Sequence, residues 1–209
     1  MSPETWFAFV AASIALVVIP GPTVLLTLSY ALSQGRRVAL AVVLGVAAGD
    51  VVAMSASLFG LGALLTASAT AFAIVKWIGV AYLTWLGLSM LRHKPETGTG
   101  PLAVPPEVPA RLVCRHAFVV TALNPKGIAF FVAFVPQFLN PAAAFAPQFA
   151  ILLATFVTIA ALNTLAYALL AGRLRDRITR PGVARWLNRT GGGMLLAMAA
   201  LTATLKRAA

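Results

Sequence analysis

The stretch TALNPKGIAFFVAFVPQFL, residues 121–139, places an amide, a proline and a cation at the head of an otherwise apolar segment. Its counterpart is VVIPGPTVLL, residues 17–26, where Pro20, Gly21 and Pro22 interrupt another apolar run. A proline inside a helix removes one backbone donor and clashes with the carbonyl four residues before it. The two stretches therefore predict two broken helices, and the meaning of the breaks depends on the solvent around them.

The composition indicates a membrane protein. Hydrophobic residues make up 60% of the 209 residues and charged residues only 10%, whereas soluble domains have about 45–50% and about 25%. The formal net charge is +11, but the Arg and Lys residues cluster between apolar runs, where they set topology and meet anionic lipid headgroups. Membrane lipid is therefore an expected partner, and nucleic acid is not.

Six apolar segments have the lengths expected of membrane-spanning helices, although the last is short. They cover residues 4–32, 38–64, 70–91, 115–138, 147–171 and 190–206. Each is a continuous apolar run rather than an alternating pattern, which favours helices over a barrel. We expect an all-α integral membrane protein with six transmembrane helices.

Basic residues predict the orientation of these spans. They occupy the connections 33–37, 92–114 and 172–189 and are missing from 65–69 and 139–146. Because positive charge stays in the cytoplasm, the three basic connections are expected to face inward. With six spans, both termini then face the opposite side of the membrane. Lys206 and Arg207 oppose this placement of the C-terminus and leave a five-span variant open.

The middle of the chain divides it into two similar halves. Residues 93–114 are rich in Pro and Gly and are expected to form a cytoplasmic linker. The flanking domains, 1–92 and 115–209, each contain three spans. Because three is odd, two such halves enter the membrane in opposite senses, which predicts two inverted three-helix repeats with a broken first helix in each. Paired interruptions of this kind are typical of secondary transporters that bind their substrate near the bilayer midplane.

Several polar residues lie near the predicted breaks. The half-helix after each break presents a positive dipole end that suits a carboxylate. Asp50 lies near the middle of the second span, where a charged carboxylate must be protonated, paired or bound to a cation. Asp50 can exchange a proton there. A pair with Lys126 would lower the energetic cost of both charges. The candidate binding residues are Pro20, Gly21, Pro22, Thr23, Asp50, Asn124, Pro125, Lys126 and Asn163.

Plainer interpretations of the same residues stay open at this point. The prolines can be simple kinks, Asp50 a structural hydrogen-bond anchor, and Lys126 a side chain that snorkels to the interface. Asn163 can be an ordinary interhelical hydrogen-bonding residue.

Small residues indicate where helices approach closely. Gly45 and Gly49 form a GxxxG pattern beside Asp50, and residues 191–193 are three consecutive glycines. Such faces let helix backbones touch. The pattern is equally compatible with packing inside one chain and with packing between two copies in a homodimer.

Three stretches together resemble the signature regions of the LysE/RhtB amino-acid exporter family. They are PGPTVLLTLSYALSQGRRVALAVVLGVAAGD, KWIGVAYLTWLGLSMLR and LNPKGIAFFVAFVPQFL, at residues 20–50, 76–92 and 123–139. The resemblance implies secondary-active export of amino acids or close derivatives across the bacterial inner membrane, coupled to proton antiport. By motif match it assigns functional positions to Pro20, Gly21, Pro22, Asp50, Asn124, Pro125 and Lys126.

Other activities fit the sequence less well. A divalent metal cation carrier is the alternative function, but one central carboxylate without nearby His or Cys supplies few metal ligands. The apolar segments contain no arrangement of catalytic side chains. We therefore expect a protein that is not an enzyme and that has neither a cofactor nor a resident metal.

Overall fold

The computed structural model describes residues 1–67, 69–92, 108–178 and 181–204. All regular structure in these ranges is helical, which confirms the expected all-α architecture. In chain order the α-helices are α1 (Pro3–Val18), α2 (Pro22–Gln34), α3 (Ala39–Ala67), α4 (Ala69–Arg92), α5 (Ala110–Ala122), α6 (Pro125–Ala129), α7 (Phe145–Ile178) and α8 (Pro181–Thr204). A 3₁₀ turn joins α2 to α3 at Gly35–Val38.

Helix length and apolarity agree with an integral membrane protein. Within the described ranges, three helical stretches are long and apolar enough to cross a membrane: Pro22–Gly60, Ala110–Phe138 and Phe145–Ala171. Two shorter apolar helices, Pro3–Val18 and Leu195–Thr204, accompany them.

The first predicted break is present. Helix α1 ends at Val18 and α2 begins at Pro22. Between them, Ile19 has φ −67° and ψ 120°, and Gly21 has φ −142° and ψ −172°, so both are extended. Each of these residues precedes a proline, whose ring disfavours the helical conformation of the residue before it. The Pro-Gly-Pro stretch therefore separates α1 from α2 by local sterics alone.

The second predicted break follows the same rule. Helix α5 ends at Ala122, and Asn124, which precedes Pro125, is extended with φ −69° and ψ 110°. Proline is favoured at the first position of a helix because its fixed φ is helical and its missing N–H would have no partner there. Pro125 accordingly begins α6.

A cluster of aromatic rings holds the segment after α6 in place. The chain continues as a π-turn at Phe130–Phe134 and a 3₁₀ turn at Val135–Phe138. Phe130 and Phe131 are fully buried, and their ring centroids lie 5.8 Å and 4.8 Å from that of Phe156 on α7. Packing of these rings fixes the second broken helix against α7.

The small-residue faces pack within the chain. A Cβ atom placed on Gly49 of α3 would lie 2.8 Å from both the Phe118 carbonyl oxygen and the Thr121 Cβ of α5. A Cβ on Gly192 of α8 would lie 2.7 Å from the carbonyl oxygen of Gly87 on α4. Only glycine permits these approaches, so the GxxxG pattern serves the α3–α5 contact of a single chain.

Two predicted connections are shorter than expected. Helix α7 continues to Ile178 and α8 already begins at Pro181, so most of the predicted basic connection 172–189 is helical. Helix α5 begins at Ala110, inside the stretch 93–114 predicted as a linker; residues 93–107 of that stretch lie outside the described residues. The prediction relied on hydropathy, which marks only the part of a helix that lies in the hydrocarbon layer. Arg is a good helix former, so a helix can extend beyond that layer.

Candidate functional site

The prolines of the first break leave carbonyl oxygens at the end of α1 without their helical donors. In an α-helix the carbonyl of residue i accepts from the N–H of residue i+4. Pro20 and Pro22 have no N–H, so the carbonyls of Leu16 and Val18 lose those partners. Side chains replace them: Lys126 Nζ donates to the Leu16 oxygen at 2.9 Å, and Tyr167 Oη donates to the Val18 oxygen at 3.0 Å.

The two neighbouring carbonyls are bonded in the same way. Lys126 Nζ also donates to the Ile19 oxygen at 2.8 Å. Asn163 Nδ2 donates to the Val17 oxygen at 3.1 Å. We call the carbonyl oxygens of residues 16–19 the α1 carbonyl cluster. All four accept from side chains of the second half of the chain, so the end of α1 is capped entirely by tertiary contacts.

A hydroxyl and amide network joins the two breaks. The Asn124 side chain caps α6, since its Oδ1 accepts from the Lys126 backbone N–H at 3.1 Å. Its Nδ2 donates to Thr23 Oγ1 at 3.2 Å. Thr23 Oγ1 also lies 3.3 Å from Thr121 Oγ1. The first turn of α2 is thereby fixed to the start of α6.

These residues surround one cavity of about 50 Å³. Six of the nine predicted site residues line it: Gly21, Thr23, Asp50, Asn124, Lys126 and Asn163. The other three, Pro20, Pro22 and Pro125, do not line the cavity but create the breaks around it. The remaining lining includes side chains that the sequence did not indicate, among them Thr121, Phe156, Ala160 and Thr164.

Asp50 is the acidic residue of this cavity. Its side chain is 7% exposed and faces the cavity from α3. Among the described residues, its carboxylate has no hydrogen-bond or ion-pair partner. The predicted direct pair with Lys126 does not form, because the lysine ammonium donates to the α1 carbonyl cluster instead. The two charges line the same cavity and attract each other across it.

The two half-helices differ at their N-termini. Gly21, the N-cap of α2, has no side chain that could cap the helix. Gly21, Thr23 and Val24 line the cavity, so the positive dipole end of α2 lies beside it. The Asn124 side chain already caps α6. A side chain therefore caps the second half-helix and not the first.

Tyr167 bonds to the α1 carbonyl cluster without lining the cavity, and sequence reasoning missed it. A signal was present: Tyr167 lies one helical turn after Asn163 in an apolar helix, so both side chains share one face. The pairing with Val18 was not readable, since it requires the relative position of α1 and α7.

Replacing Tyr167 with phenylalanine is expected to destabilise the protein by about 1–2 kcal/mol, because the Val18 carbonyl then loses a donor that Pro22 cannot replace. Thermal unfolding in detergent measures the effect. The matched control is Tyr82→Phe, whose hydroxyl makes no hydrogen bond within the described part of the chain. Equal stability of the two variants would contradict the assigned role of Tyr167.

Fold and site together define a class: a helical membrane protein with a polar cavity between two broken helices. The LysE type translocator model matches residues 14–205, and the chain belongs to this family. Its family and relatives indicate a transporter rather than an enzyme.

Among its relatives, an uncharacterized membrane protein of Vibrio cholerae is 34% identical over 99% of this chain and 100% of its own length. The homoserine/homoserine lactone efflux protein of Salmonella typhimurium is 33% identical, with 100% of both chains covered. The leucine efflux protein of Salmonella choleraesuis is 28% identical over 96% of this chain and 95% of its own. No solved structure matches the chain.

Proposed function

We propose that this protein is a secondary-active exporter of amino acids or close derivatives, which exchanges its substrate for protons. The observation that carries the proposal is the buried Asp50 carboxylate, which has no bonded partner in the described part of the chain and lines the same cavity as the N-terminus of α2. The names of the efflux relatives support the substrate class.

The cavity offers complementary groups for both ends of an amino acid. The substrate ammonium binds Asp50, which is the acidic side chain that lines the cavity. The substrate carboxylate binds the first-turn amides of α2 and the Thr23 hydroxyl, with the Lys126 ammonium nearby. Asn124 and Asn163 position these groups through their bonds to Thr23 and to the α1 carbonyl cluster.

Proton coupling follows from competition for Asp50. A buried carboxylate is costly unless it is neutralised by a proton or paired with a cation. The carboxylate therefore releases a proton when the substrate ammonium binds and accepts one when it leaves. A single site then alternates between cargo and proton.

Transport requires the cavity to widen and to open to each side in turn. A volume of about 50 Å³ holds a few water molecules and not an amino acid. The helix packing suits a rocking motion of two inverted repeats: α3 packs on α5, α1 and α2 pack on α7, and α4 packs on α8. If each helix of the first half is exchanged for the corresponding helix of the second half, the same set of helix contacts results. We propose six spans in two domains, with the second domain beginning at Ala110 of α5 rather than at residue 115. A cytoplasmic linker joins it to the first domain, 1–92.

Orientation is proposed from the basic residues. Arg36, Arg37, Arg111 and Arg115 are all exposed. They lie at the same end of the molecule, because Val38 and Val113 belong to one buried cluster. Positive charge marks the cytoplasmic side, so this end faces the cytoplasm of the bacterial inner membrane. Both termini then lie on the periplasmic side.

Counterflow in proteoliposomes tests the function. Vesicles loaded with unlabelled homoserine or leucine are expected to accumulate the labelled amino acid, while protein-free vesicles do not. A pH-sensitive dye is expected to report proton movement opposite to the substrate. Accumulation of Mn²⁺ with no amino-acid counterflow would instead identify a divalent metal cation carrier and overturn the proposal.

A further inference from the structure

We propose that the end of α1 is a binding seat for a monovalent cation, and that the Lys126 ammonium occupies it as a tethered substitute for a dissolved ion. The part of this inference that concerns transport rests on the proposed function. The seat itself is a structural claim, and it can be tested without any transport measurement.

The coordination of Lys126 is that of a bound cation. Its Nζ lies 2.9 Å from the Leu16 oxygen and 2.8 Å from the Ile19 oxygen, which are the distances of charge-assisted hydrogen bonds. Both acceptors are backbone carbonyls rather than carboxylates. They also lie at the C-terminal, negative end of the α1 dipole. Unwound carbonyls and half-helix C-termini are the groups that coordinate a transported Na⁺ in other broken-helix carriers.

The first break is shaped for the ammonium. A Cβ atom on Gly21 would lie 3.4 Å from Lys126 Nζ, which is an ordinary van der Waals distance. The ammonium therefore lies directly beside the backbone of the break. The prolines on either side contribute as well, because Pro20 removes the backbone donor that would otherwise occupy the Leu16 carbonyl.

The charge at the seat is also balanced as a cation site requires. The Asp50 carboxylate lines the same cavity and attracts the ammonium. A lysine supplied by the chain satisfies this seat permanently. Transport by the wild-type protein is therefore expected to need neither Na⁺ nor K⁺.

Chemical rescue tests the seat. Lys126→Ala removes the ammonium and leaves room for a small cation, whereas Lys126→Met fills the same space with an uncharged side chain. Methylammonium at about ten times its dissociation constant is expected to raise the melting temperature of detergent-solubilised Lys126→Ala by about 3 °C. Lys126→Met and the wild type are expected not to respond. In proteoliposomes, methylammonium is expected to restore at least a tenth of the counterflow lost in Lys126→Ala.

The outcomes separate the two proposals. A selective shift in melting temperature without restored counterflow supports the seat and counts against the proposed role of the site in transport. No shift in folded Lys126→Ala, or an equal shift in all three proteins, overturns the seat. If Lys126→Ala does not fold, counterflow by the wild type is measured with Na⁺ and K⁺ both replaced by N-methylglucamine. Loss of counterflow overturns the inference, and unchanged counterflow supports it.

Discussion

Asp50→Asn is expected to reduce amino-acid counterflow about a hundredfold while leaving the protein folded, with a stability close to that of the wild type. Loss of a buried charge partner for the substrate ammonium costs about 2–5 kcal/mol of binding. The variant also cannot exchange a proton at this position. Asparagine has nearly the same shape as aspartate, so the packing of α3 stays intact.

The difference between the two effects makes the test specific. A carboxylate in the middle of a membrane costs about 2.5–3.5 kcal/mol on insertion scales, and relief of this cost offsets the lost attraction between Asp50 and Lys126. A purely structural anchor would instead lose stability on substitution. Counterflow and thermal unfolding are measured on the same preparation.

The control for Asp50→Asn is Glu4→Gln, which makes the same chemical change at an exposed acidic residue of α1. It is expected to leave both counterflow and stability unchanged. Full counterflow in Asp50→Asn, or a loss of counterflow that merely follows a loss of folded protein, would show that Asp50 does not bind the substrate.

Gly45→Leu is expected to destabilise the protein by about 3 kcal/mol or more and to lower its melting temperature by about 10 °C. A Cβ atom on Gly45 would lie 2.8 Å from the Ala117 Cβ and would overlap the Cys114 carbonyl. Helix α5 must then move away from α3. That movement displaces Thr121 and the second break, so counterflow is lost together with stability.

Gly60→Leu is the matched control, because it makes the same change on the same helix where nothing lies within 4 Å of the new Cβ atom. The higher helix propensity of leucine leaves this variant as stable as the wild type or slightly more stable. Because Gly45 contacts α5 of the same chain, the loss of stability in Gly45→Leu is expected not to depend on protein concentration. Equal stability of the two variants, or a loss that disappears at high concentration, would contradict the intrachain α3–α5 contact.

The sequence predicted the site residues whose chemistry is local or has few alternative explanations. An uncommon central acid and two paired proline breaks pointed to Asp50, Asn124 and Lys126, and the structure places these three residues around one cavity. Thr121 gave no comparable signal, and Tyr167 gave only its position one turn after Asn163. Hydroxyl groups are common in membrane helices and acquire a role only through the groups opposite them.

The sequence by itself determined where the helices break. Pro20, Pro22 and Pro125 restrict their own φ and the conformation of the residue before them, and these steric effects act over one or two residues whatever the rest of the chain does. Apolar composition likewise determined that the surrounding segments are helical, because in lipid the backbone must satisfy its own hydrogen bonds.

Only the tertiary structure decided which partners the broken ends acquire. From the sequence, the Lys126 ammonium had one evident partner, the Asp50 carboxylate. In the folded chain it donates instead to the carbonyls of Leu16 and Ile19, which are far away in sequence and become acceptors only because α1 ends beside α6. A carbonyl freed by a proline is a local event. The donor that satisfies it is chosen by the packing of distant helices, and this choice leaves Asp50 facing the cavity.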